Sequence, residues 1–159
     1  MKECIRFIKN AYSEEKSYSH GVACEFVPFD NYWGIKIYYN KSVRDKNYNW
    51  QIKANEYGLA PDVGSKFQFS YYDKNNKKVT KYCFITEAVE PLADNNRHDW
   101  YEDFLHELEN KEIEFAEEIE NVCLELQDKI GFYMRDTHAA NFGRRKSDGF
   151  LVCIDFGND

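Results

Sequence analysis

The hydrophobic period changes partway along this chain, and the change limits the folds open to it. From Gly21 to Glu87 aromatic and β-branched residues come in short runs bounded by turn signals, the pattern of strands. Gly21 to Phe29 and Tyr32 to Tyr39 read as two strands separated by the turn signal Asp30-Asn31. Lys66 to Tyr72 and Val79 to Thr86 read as two more, joined by the polar hairpin loop Asp73 to Lys78. Between the pairs, Ser42 to Tyr57 has few β-branched residues and is stopped by Gly58 and Pro61, which predicts a short helix. Pro91 to Asn96 is a break. From Asp99 to Ile130 the character is helical, two helices with a joint near Glu109-Asn110-Lys111. In the second, Ile113, Ala116, Ile119, Cys123, Leu126 and Ile130 form one apolar face, expected to pack on the chain's own fold rather than on a partner helix. Tyr133 to Arg145 is polar and turn-rich, and Phe150 to Ile154 reads as a buried strand. The expectation is an α+β fold: an antiparallel sheet carrying one helix, then a mostly helical part with a loop and a short strand.

Length and charge narrow the function. A chain of 159 residues predicts a single domain over 1–159. Its formal net charge of −7 argues against a nucleic-acid or anionic-membrane surface. The acidity is local: residues 99–128 hold 12 Asp/Glu and one Lys, a net −11 that leaves +4 elsewhere. That stretch reads as a solvated face, and as a candidate surface for a basic protein partner. No apolar run approaches the roughly 18–20 residues of a membrane span. Glu3 and Arg6 stand where a signal peptide would begin its apolar stretch, so a soluble, cytoplasmic protein is expected. Cys4, Cys24, Cys83, Cys123 and Cys153 are widely spaced with no C-x-x-C pair, which predicts reduced core thiols. His20, His98, His106 and His138 are scattered, and Asn110 stands where a zinc-protease pattern begun by His106-Glu107 needs its second histidine.

The chemistry-bearing residues are Arg135-Asp136-Thr137-His138-Ala139-Ala140-Asn141, followed by Ile154-Asp155-Phe156-Gly157 at the end of an apolar strand. Upstream, Gly34-Ile35-Lys36-Ile37 sets a lysine in the middle of another apolar strand. Burying an ammonium without a partner is costly, and a multiply charged phosphate ligand would supply one. In this order the set resembles the protein-kinase-like fold. Lys36 matches the strand lysine, Arg135-Asp136 the catalytic loop with Asn141 at the expected offset, and Asp155-Phe156-Gly157 the D-F-G. The D-x-H-x-x-N form, with Gly58-Leu59-Ala60-Pro61 after the helix, looks most like the Rio, aminoglycoside-phosphotransferase and lipopolysaccharide-kinase branches. The likeness runs from about Ser19 to the C-terminus, with an N-lobe and hinge over 19–90 and a minimal C-lobe over 91–159.

The resemblance implies a set of roles. Asn141 and Asp155 would hold Mg²⁺, Asp136 would accept or orient the proton of the attacking hydroxyl, and Lys36 would contact the α- and β-phosphates of ATP. A reduced glycine loop around Gly21, flanked by small Ser19 and Ala23, would let backbone amides approach phosphate. Backbone groups of Glu87 and Val89 would hold the base. The helix partner of Lys36 falls near Gln51, counting back from Pro61, with Glu56 the nearest acid. His138 reads as a local structural contact. The sequence stops at Asn158-Asp159, just after D-F-G, so Asp155 is expected on an unbraced terminus that Mg-nucleotide or a protein partner orders. Two functions follow from the resemblance: a minimal ATP- and Mg²⁺-dependent phosphotransferase of phage or bacterial type, or a truncated pseudokinase acting as a protein-binding or inhibitory module.

Overall fold

In chain order, the described residues (2–13, 19–20, 24–94 and 99–157 of this computed structural model) begin with α1 (Lys2–Ser13), β1 (Ser19–His20), β2 (Glu25–Pro28) and β3 (Trp33–Tyr38). Then come α2 (Lys41–Asn55), β4 (Val63–Tyr72), β5 (Lys78–Glu87) and β6 (Glu90–Pro91). The remainder comprises α3 (Tyr101–Glu114), α4 (Ala116–Ile130), a 3-10 turn (Ala139–Asn141), β7 (Phe142–Arg144) and β8 (Leu151–Cys153). The fold is α+β. Five strands form an antiparallel sheet in the order β1-β2-β3-β5-β4, and β6, β7 and β8 form a second antiparallel sheet in that order.

Side chains alternate across a strand, so β3 feeds both faces of the larger sheet. Ile35 and Ile37 join Val27, Phe67, Phe69 and Cys83 on one face, covered by Cys4 and Ile8 of α1. Cys4 and Ile8 stand about one helical turn apart, yet that short stripe has meaning only against the sheet, and α1 was not anticipated from sequence. Lys36, Tyr38 and Phe84 take the other face, where Tyr48 of α2 meets the Phe84 ring edge-on at 5.3 Å. The two short turns follow their side chains. Asp30 Oδ1 accepts the Tyr32 and Trp33 amides at 2.7 Å each. Asp73 Oδ1 accepts those of Asn75 and Lys77 at 2.9 Å each.

Helix α2 begins where expected, with Asn40 Oδ1 accepting the Ser42 amide at 2.8 Å as an N-cap. Its inward residues are unusual: Arg44, Asn47 and Gln51 are buried along with Ala54. The face it presents to the fold is therefore largely polar.

The helical part differs from expectation at its joint. The break lies at Phe115 (φ −113°, ψ 18°), not at Glu109-Asn110-Lys111. Phe115 packs against the second core, and leaving helical geometry there resets the phase between α3 and α4. Ile113, expected on the apolar stripe, is consequently 79% exposed, while Ile119, Val122 and Leu126 of α4 are buried. Tyr133 to Arg145 is also more ordered than its polarity suggests, since it contains the 3-10 turn and β7. The second core gathers Ala54 of α2 and Leu59 and Ala60 of the turn after it with Leu126, Phe132, Phe142 and Phe156, so both parts of the chain contribute to it. No helix among the described residues is long and apolar enough to cross a membrane.

Candidate functional site

Lys36 is buried at 6% exposure, and α2 supplies its first partner: Nζ donates to Gln51 Oε1 at 3.0 Å. Gln51 is itself oriented, because its Nε2 donates to Pro61 O at 3.1 Å and Thr86 Oγ1 at 2.7 Å, which leaves only its oxygen for the lysine. Glu56, the other candidate partner, caps the C-terminal end of α2 and is exposed. The second acceptor for Lys36 Nζ is the carbonyl of Ile154, 118 residues away and directly before Asp155. The Phe84 ring lies 5.5 Å from Nζ. Among the described residues this buried ammonium therefore faces only neutral oxygens and a ring, with no carboxylate in salt-bridge contact.

The segment carrying Asp155 is tied down by the chain itself, contrary to the expectation of an unbraced terminus. Phe156 is fully buried and meets Phe132 edge-on at 5.2 Å. Its amide donates to Asn47 Oδ1, on α2, at 3.2 Å. Asp155 itself is half-buried, with Oδ1 accepting the Gly157 amide at 2.8 Å. Asn47 was not anticipated as a site residue. Its spacing four residues before Gln51 puts it on the same helix face, but nothing in the sequence sets that face against Phe156.

Asn141 joins this arrangement through backbone: its carbonyl accepts the Ile154 amide at 2.8 Å, so the turn carrying it runs beside the strand that delivers Asp155. Asn141 Nδ2 donates to the Asp136 carbonyl at 3.0 Å, which leaves its amide oxygen available. Asp136 Oδ1 lies 3.0 Å from His138 Nε2, and His138 Nδ1 lies 3.0 Å from Glu112 Oε1 on α3. Glu112, 26 residues before His138, carried no signal in the sequence.

The stretch expected as a hinge, Glu87 to Glu90, runs from the end of β5 into β6. The Glu87 amide is already bonded to Asp62 O at 2.8 Å and the Ala88 amide to Tyr32 O at 2.7 Å. The backbone of β7 presses close here: a Cβ on Gly143 would lie 2.8 Å from Val89 Cγ2 and 2.9 Å from Glu90 O, so only glycine fits. Gly21 lies outside the described residues. Cys24, just after it, sits within electrostatic reach of both Lys36 and Asp155, and burial pushes its thiol up to about 11. Burial likewise raises Cys83 to about 12 and Cys153 further still. All five cysteines are free.

Mg²⁺ bound together with a phosphate keeps several waters and needs only one or two protein oxygens, which the Asp155 carboxylate and the amide oxygen of Asn141 could supply. Among the described residues no group of three or more His, Cys, Asp or Glu is placed to hold a metal ion alone. No family model, curated protein or solved structure matches this chain.

Proposed function

We propose that the chain is a minimal kinase-like phosphotransferase that takes ATP with Mg²⁺. The observation that carries the reading is the buried Lys36 ammonium, which has neutral partners only and sits against the carbonyl before Asp155. A buried cation so placed favours an anion beside it, and a nucleotide phosphate would supply the missing charge. The larger antiparallel sheet carrying one helix supports reading residues 19–90 as an N-lobe, and the loop-and-strand arrangement after α4 supports reading 91–159 as a reduced C-lobe. Lys36 would contact the α- and β-phosphates, Asn141 and Asp155 would hold the metal, and Asp136 would accept the proton of the attacking hydroxyl. Glu87 and Val89 would bind the base through backbone groups, leaving the amides of Glu87 and Ala88 in their present bonds.

A second reading, a pseudokinase that works by binding a protein, draws support from Gln51. An amide holds Lys36 less firmly than a carboxylate does. Thermal-shift titration separates the two. The phosphotransferase reading predicts stabilisation by ATP that needs Mg²⁺, about 2.7 kcal/mol at a hundredfold excess over Kd, and its loss in Asp155→Ala. No shift at millimolar ATP sinks the nucleotide claim. Binding without transfer of label from γ-labelled ATP favours the second reading. Where transfer occurs, Asp136→Ala abolishes it and spares ATP binding.

A further inference from the structure

We infer that Glu112 of α3 is a positioning residue for Asp136, acting through His138; the inference rests on the phosphotransferase reading of Asp136. Glu112 Oε1 makes two contacts with the loop, His138 Nδ1 at 3.0 Å and the Ala139 amide at 3.3 Å. The far ring nitrogen, His138 Nε2, lies 3.0 Å from Asp136 Oδ1. One carboxylate thus orients both the backbone and the imidazole that meets the proposed base.

The proton inventory gives this chain of contacts a direction. A carboxylate only accepts, so the hydrogen between Glu112 and His138 is carried on Nδ1. Asp136 Oδ1 is likewise an acceptor, so the contact at Nε2 takes a ring hydrogen of its own; by holding the Nδ1–H, Glu112 fixes how the ring faces, with its Nε2 edge on Asp136 Oδ1.

Two further observations separate positioning from plain stabilisation. Side-chain exposures are 36% for Glu112, 59% for His138 and 34% for Asp136, and ion pairs so exposed are screened and contribute little to stability. Glu112 also stands near the C-terminal end of α3, where the helix dipole disfavours a negative charge. The only basic residue in that last turn, Lys111, pairs with Glu114 at 2.8 Å, so the compensation for Glu112 comes from the loop.

The first measurement is ring ¹⁵N NMR of histidine-labelled protein, with His138 assigned by His138→Ala. The expected result is a proton on Nδ1 in the wild type, kept in Glu112→Gln, whose amide oxygen still accepts, and lost in Glu112→Ala. A wild-type ring with no Nδ1 proton, or one unchanged in Glu112→Ala, overturns the inference. The second measurement is Mg-ATP turnover with water as acceptor. Glu112→Ala is expected to lower kcat by about tenfold or more with KM for ATP unchanged, and Glu112→Gln to restore part of it. An unchanged kcat in Glu112→Ala, or an equal rise in KM, also overturns the inference. A wild type that turns over no ATP but holds the Nδ1 proton overturns the phosphotransferase reading instead, and the contact between Glu112 and His138 stands.

Discussion

Phe156→Ala removes the side chain that fastens Asp155 to the fold. The ring is fully buried in the second core against Phe132, and deleting a phenylalanine from such a site costs about 3–5 kcal/mol. Neighbouring side chains of the second core can collapse into part of the space, so the lower figure applies unless the backbone lifts away. If it lifts, Asn47 Oδ1 loses the Phe156 amide and is left buried without that donor, adding about 1–3 kcal/mol. A loss of about 3 kcal/mol lowers Tm by roughly 6–12 °C in a chain of this size. The assay is urea and thermal unfolding of wild type and variant, with hydrogen exchange at the Phe156 amide. The wild-type amide is expected to be protected, and the variant's to exchange faster than the rest of the core. A loss under about 1 kcal/mol, together with an unprotected wild-type amide, would show that the segment frays and that nothing in the chain holds Asp155.

Three other changes probe the site from different sides. Lys36→Met is expected to abolish the ATP-dependent thermal shift; an undiminished shift would refute the assignment of Lys36 to phosphate. Gln51→Glu sets a carboxylate oxygen where an N–H now reaches Pro61 O, so a net loss of about 1–2 kcal/mol is expected despite the new charge pairing with Lys36, and a gain by urea unfolding would count against it. The buried thiols make stability fall in alkali. Cys24 and Cys83 ionise in the folded state near 11 and 12, and in the unfolded chain near 8.5, so the unfolded state binds fewer protons as pH rises past that lower value. Each thiol then removes about 1.4 kcal/mol per pH unit until its folded value is reached, and Cys83→Ala should flatten the decline between pH 9 and 11 by about one thiol's share.

The readings legible in the sequence were those set by local physics. Strand runs, the Asp30-Asn31 and Asp73 turns, the helix ended by Gly58 and Pro61 and the helical character of 99–130 all depend on neighbours within a few residues. So did the order of Lys36, Asp136, Asn141 and Asp155, which a linear reading can list but cannot bring together. The helix joint escaped because Phe115 breaks α3 from α4 to reach a core built by distant residues. The choice of Gln51 over Glu56 depended on where α2 ends and which of its faces meets the sheet. Asn47 reaches Phe156 across 109 positions, and Glu112 reaches His138 across 26. Contacts at such separations leave no periodic trace along the chain, because they arise only when packing brings two independently formed elements together. Composition and spacing alone therefore determined an α+β chain with a lysine in an apolar strand and an acidic helical stretch. Tertiary structure alone decided that the lysine faces neutral oxygens, that Asp155 is anchored by the ring next to it, and that a glutamate from α3 reaches the loop of Asp136.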